Sequence, residues 1–132
     1  MFRRKEEPQA EGADRVDSVL GSGLALKGTL TGQGGIRIEG AFEGDVELRG
    51  LVVVGEQGRV TCRHLKATTV VVAGSVRGDI TAQRIEIMRT GRVWGNVVTA
   101  SFSTEEGAFL RGQITMEERV EPVPEPEAGE GG

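Results

Sequence analysis

Apolar residues recur along this chain in a short motif: apolar, any residue, glycine, polar, apolar. It appears as Leu26-Lys27-Gly28-Thr29-Leu30, Phe42-Glu43-Gly44-Asp45-Val46, Val76-Arg77-Gly78-Asp79-Ile80, Val93-Trp94-Gly95-Asn96-Val97 and Leu110-Arg111-Gly112-Gln113-Ile114. A degenerate copy reads Val60-Thr61-Cys62-Arg63-His64. The third positions fall at 28, 44, 62, 78, 95 and 112, a period of about seventeen. A second motif precedes the later copies in fixed phase: Ile36-Arg37-Ile38, Val52-Val53-Val54, Val70-Val71-Val72, Ile85-Glu86-Ile87 and Phe102-Ser103-Thr104. β-Branched residues dominate these runs, and stretches such as Arg84-Ile85-Glu86-Ile87 alternate with the period of two expected of a strand with one buried face. Each repeat is therefore predicted to hold at least two short strands, and helix is excluded.

Short strands bounded by glycine at fixed intervals fit a coil in which each repeat stacks on the one before. Seventeen residues suit three short strands and three corners. The predicted fold is all-β: a single-stranded, right-handed β-helix of about six triangular rungs with disordered N- and C-terminal tails. At about 4.8 Å per rung the rod is roughly 25–30 Å long. A propeller blade needs about 40–45 residues per repeat, and a meander sandwich would show recurrent two-residue hairpin signals. A left-handed hexapeptide helix would hold a strict six-residue register, whereas these spacings wander between 16 and 18. The expected organisation is a tail over 1–17, the coil over 18–116 and an acidic, Pro- and Gly-containing tail over 117–132, neither tail showing apolar periodicity.

Composition sharpens this picture. Twenty-one glycines stand against four phenylalanines, one tryptophan and no tyrosine, which suits frequent turns better than a helical or sandwich core. The single cysteine, Cys62, has no intrachain partner, and no stretch of about 18 apolar residues offers a membrane span. A cytoplasmic setting is expected. The net charge of −4 comes mostly from the C-terminal segment, where Glu117, Glu118, Glu121, Glu125, Glu127 and Glu130 face one base, Arg119. Nucleic acid is a poor match as partner. At the other end Met1, Phe2, Arg3, Arg4 and Lys5 form a candidate membrane-targeting segment. One apolar side chain contributes roughly 1.5–3 kcal/mol and each base about 1 kcal/mol at an anionic surface, so binding depends on many linked copies.

The ends of such a coil carry the functional expectation. Terminal rungs expose unpaired backbone groups and core side chains unless capped. The sequence shows no polar cap here: the first rung carries Leu20, Leu24 and Leu26, and the last carries Phe102, Phe109 and Leu110. These six residues are the predicted polymerisation interface. First rung against first and last against last would make each contact isologous and the filament non-polar, with no need for nucleotide.

The segment Gly74-Ser75-Val76-Arg77-Gly78-Asp79-Ile80-Thr81-Ala82, with the opening Met-Phe-Arg-Arg-Lys and the stretch from Gly107 to Gly112, resembles the bactofilins. The resemblance spans 19 to about 116 through the repeat and 1–5 through the anchor. It implies a right-handed β-helix, nucleotide-independent non-polar filaments, membrane association through the N-terminal segment, and roles in bacterial shape, polarity or cell-wall organisation. It places the family's apolar end residue at or near Phe109. The departure is Cys62-Arg63-His64, where the family pattern reads Gly-Asp-Ile.

Other chemistry is sparse. Cys62 and His64 supply two ligands where structural zinc wants four. The rung around them is one residue longer than its neighbour, so Leu65 is expected in the buried slot and His64 toward solvent. The clusters Gly21, Gly23, Gly28 and Gly32, Gly34, Gly35 do not complete a phosphate loop. No metal, cofactor or catalytic pair is expected, and one histidine makes an acyltransferase on a left-handed helix a remote alternative. Trp94 should point outward by alternation with Val93 and is a candidate lateral contact. A second reading is a membrane-bound adaptor acting as a short oligomer, which recruits cell-wall enzymes or other scaffold proteins through the tail around Pro122, Pro124 and Pro126.

Overall fold

The computed structural model describes residues 18–118. Nine strands follow one another: β1 (Ser18–Leu20), β2 (Ala25–Ile38), β3 (Ala41–Val54), β4 (Arg59–Val72), β5 (Ser75–Ile87), β6 (Arg92–Trp94), β7 (Val97–Thr104), β8 (Phe109–Arg111) and β9 (Ile114–Met116). Every pairing is parallel, and each segment of chain pairs with the equivalent segment about one repeat later. The result is a parallel β-solenoid of about six turns with no helix among the described residues, as the period predicts.

The register explains the core. Leu26, Phe42, Val60, Val76, Val93 and Leu110 stack in one column, and Leu30, Val46, Leu65, Ile80, Val97 and Ile114 in another. Both columns point inward, and their central members are fully buried. Residues one position away, such as Glu43, Arg77 and Arg92, point outward because side chains alternate along a strand. The one buried polar side chain among the described residues, Thr99, has its Oγ1 2.9 Å from the Ser101 carbonyl oxygen and 3.2 Å from that of Gln83, either of which can take its one proton, and it accepts from Ser101 N at 3.3 Å, which offsets the penalty of its burial.

Strand length differs from the expectation. Instead of two or three short strands per repeat, β2 to β5 each run unbroken for 13 or 14 residues around the bends. Between β2 and β3 the ladder passes the corner with glycine on glycine. Gly28 at φ +142° pairs Gly44 at φ +139°, a region that side chains rarely enter. A Cβ at Gly44 would run into the Gly28 carbonyl. Only in the last two turns does the equivalent corner, at Gly95 and Gly112, interrupt the strand.

The degenerate repeat is a bulge. Glu43 pairs Thr61 and Val46 pairs Leu65, so two residues of one turn face three of the next. Leu65 takes the inward slot and His64 is exposed, as the extra residue predicts.

Candidate assembly surfaces

The inward columns run the whole length of the coil and end abruptly. In the first, exposure falls from 48 % at Leu26 to 3 % at Phe42 and stays near zero through Val93. At the far end Ile114 is 41 % and Met116 54 % exposed, although their partners one turn back, Val97 and Thr99, are fully buried. Leu20, Leu30, Phe102 and Leu110 are half-buried, packed against the core from one side only. Among the described residues nothing covers either end.

Of the six residues expected at the ends, Leu20, Leu26, Phe102 and Leu110 occupy inward columns of terminal turns. Leu24 and Phe109 do not. Leu24 stands at a corner, in a column that continues as Gly40, Gly58, Gly74 and Gly91 and ends at Ala108. The equivalence is fixed by one repeated bond: Ala41 N donates to Leu24 O, Arg59 N to Gly40 O, Ser75 N to Gly58 O, Arg92 N to Gly74 O and Phe109 N to Gly91 O. A Cβ at any of the four glycines would strike a carbonyl oxygen of the preceding turn. Leu24 has no preceding turn there, and its side chain is 58 % exposed.

Phe109 lies in the outward column Ala25, Ala41, Arg59, Ser75, Arg92. Its ring packs 5.6 Å from that of Trp94 at 53°, and the Arg77 guanidinium lies 4.6 Å above the Trp94 ring. Trp94 points outward, as alternation predicts, and is half-buried by these neighbours. Sequence reasoning left Met116 out of the interface. Parity would have found it, since it stands two positions beyond Ile114.

The bulge gathers Cys62, His64, Asp45 and Asp79 around one surface hollow. Burial pushes the Cys62 thiol up to about 12, and the charges of Asp45 and Asp79 act the same way. That thiol is a poor nucleophile at neutral pH. Asp45 is paired with Arg63 at 3.1 Å through Oδ2, while its buried Oδ1 has no partner. Elsewhere the same column forms a ladder: Asn96 N donates to Asp79 Oδ1 and Gln113 N to Asn96 Oδ1, each at 3.0 Å. The extra residue of the bulge breaks that ladder. Among the described residues no group of three or more His, Cys, Asp or Glu could hold a metal ion. Met1, Phe2, Arg3, Arg4 and Lys5 lie outside the described residues.

The parallel solenoid, with apolar columns open at both ends, belongs to the class of structural coils whose distinctive surfaces are their ends rather than a cleft. Comparison with known proteins agrees. The model of the bactofilins, described as polymer-forming cytoskeletal, matches residues 18–115. Bactofilin BacP of Myxococcus xanthus is 30 % identical over 123 residues, 92 % of this chain and 50 % of its own length. The chain thus spans half of that relative. The bactofilin of Thermus thermophilus, solved by cryo-electron microscopy as double-helical filaments, matches with a TM-score of 0.72 at 30 % identity, over 76 % of this chain and 99 % of that one. The cytoskeletal bactofilin BacA, solved by solid-state NMR, matches at 0.69 and 31 % identity, over 81 % and 99 % respectively. The chain belongs to the bactofilin family of cytoskeletal, filament-forming proteins.

Proposed function

We infer that this chain polymerises end to end through its terminal turns, without nucleotide, into non-polar filaments that serve as a scaffold for cell shape or cell-wall organisation. The observation that carries this is the emergence of the inward columns at both ends, with Leu26, Ile114 and Met116 all more than 40 % exposed. Burying such side chains contributes roughly 1.5–3 kcal/mol each, and the free ladder edges supply backbone hydrogen bonds.

Leu24 supports the like-end arrangement. A second chain stacked head to tail in the internal register would bring a carbonyl of its last turn toward the Leu24 Cβ, as Leu24 O lies against the Cβ position of Gly40 and Ile38 O against that of Gly58. First turn against first turn, related by a two-fold axis, carries no such conflict. Membrane association belongs to the same reading and rests on Phe2 and the bases Arg3, Arg4 and Lys5, whose weak binding is multiplied along a polymer. It would place the filament at the inner face of the cytoplasmic membrane.

Negative-stain electron microscopy of nucleotide-free protein tests this. Wild type and a deletion of residues 1–7 should form filaments, whereas Leu26→Arg and Leu110→Arg should disperse. Compact particles in wild type would overturn filament formation, and short oligomers would favour the adaptor. Phe109→Arg separates an end contact from a lateral one. Flotation with anionic vesicles should retain polymer and lose the 1–7 deletion.

A further inference from the structure

One side face of the coil changes character along its length. Its two outward columns carry Ala25 and Lys27, then Ala41 and Glu43, in the first two turns, where Lys27 and Glu43 lie 3.9 Å apart. From the third turn on, apart from Thr61 and Ser75, they carry Arg59, Arg77, Arg92, Arg111, Trp94 and Phe109. All four arginines are exposed, and no ion pair between described residues engages any of them. Arg77 lies over Trp94 and Trp94 against Phe109, so the aromatic pair is framed by guanidinium groups. Four like charges on one flank attract an anion and repel each other without one.

The chain carries a segment of that charge itself. It leaves the described coil at Glu118, on the same terminal turn as Phe109 and Arg111, and continues for 14 more residues. These include Glu121-Pro122-Val123-Pro124-Glu125-Pro126-Glu127, in which carboxylates and prolines are interleaved. Arginine takes carboxylate in paired hydrogen bonds, and prolines pack on aromatic rings in the extended form they already favour. Fourteen residues reach roughly 40 Å in that form, while the flank from the last turn back to Arg59 spans only three turns, roughly 15 Å. Anionic lipid headgroups would suit the arginines too, but a tethered segment meets them at about millimolar effective concentration. We propose that the Arg59–Arg77–Arg92–Arg111 flank, centred on Trp94 and Phe109, is the docking site for this chain's own acidic, proline-containing C-terminal segment. While seated, the segment covers the aromatic pair and keeps that flank from lateral contact with other coils.

Trp94 is the one tryptophan of the chain, so its fluorescence reads the site directly. Ending the protein at Glu118 should shift its emission to the red and increase acrylamide quenching. Molar salt should do the same to the full chain and little to the truncated one. A synthetic peptide of residues 117–132 added to the truncated protein should restore the blue emission saturably, and Arg77→Glu with Arg111→Glu should abolish that response. Should the double variant fail to fold by far-ultraviolet circular dichroism, the truncation and the peptide decide alone, since they leave residues 18–118 intact. Identical emission and quenching of full and truncated chains at low salt would overturn the proposal. So would an emission shift with phosphatidylglycerol vesicles, equal in both chains, where the peptide gives none; lipid would then be the occupant.

Discussion

The internal turns and the first turn obey different rules at the same corner. Gly40, Gly58, Gly74 and Gly91 are held to glycine by the turn stacked on them, and Leu24, their equivalent at the open end, is free to be large and apolar. The constraint is therefore not intrinsic to the corner. It acts on Gly40, Gly58, Gly74 and Gly91 through the preceding turn, and the column carries a side chain only at its two ends, Leu24 and Ala108, each directly after a glycine at positive φ, Gly23 at +94° and Gly107 at +101°. The Gly28 corner teaches the same from the other side: a Cβ at Gly44 meets backbone, whereas one at Gly28 meets nothing within 4 Å.

That contrast is broken most severely at Gly44. Gly44→Val forces a side chain into a carbonyl as well as a left-handed φ, and should destabilise by more than about 4 kcal/mol. Gly28→Val, with the same φ and open space, should lose only the backbone strain, about 1–3 kcal/mol. Denaturant unfolding in the Leu26→Arg background measures both, and equal losses would refute the role given to the neighbouring turn. In the core, Ile80→Ala should lose about 2–5 kcal/mol, and Ile114→Ala, one-sided in the same column, about half of that.

Cys62 tests the one member of the corner column Gly28, Gly44, Gly78, Gly95 and Gly112 that is not glycine. Its thiol is raised above the ordinary value of 9.0 to about 12 by burial and by Asp45 and Asp79. Between those values the unfolded chain has released a proton that the folded chain keeps. Stability should be whole below about pH 9 and fall toward pH 12, and Cys62→Ala should lessen that fall in pH-dependent unfolding. The smallest expected effect on stability is at Leu24→Gly, within about 1 kcal/mol, yet it removes the obstacle to head-to-tail stacking. Filaments of that variant, reconstructed by cryo-electron microscopy, should include polar joints that wild type lacks.

Much of this was legible in the chain. The seventeen-residue period gave the turns, alternation gave the inward faces of Ile85, Ile87, Val93 and Val97, and the extra residue after Thr61 gave a bulge with Leu65 inside. Phe109 shows what parity adds to residue type: it stands one position before Leu110 and so has the parity of the outer surface. Strand continuity was not legible, because residue type at the corner does not decide it: β4 runs unbroken through Cys62, whereas the glycine corners at Gly95 and Gly112 interrupt the strand. The flank around Trp94 required the register: Arg59, Arg77, Arg92 and Arg111 are scattered in sequence and become neighbours only when the turns stack.

The direction of the hydrogen bonds has a mechanical consequence. They run along the axis of the coil, fourteen register pairs between β2 and β3 alone, so a pull on the two ends is shared by the whole perimeter at once. A rod of this kind is stiff in tension, and with coils joined end to end as proposed above, the joint between them would yield first and leave each coil intact to rejoin.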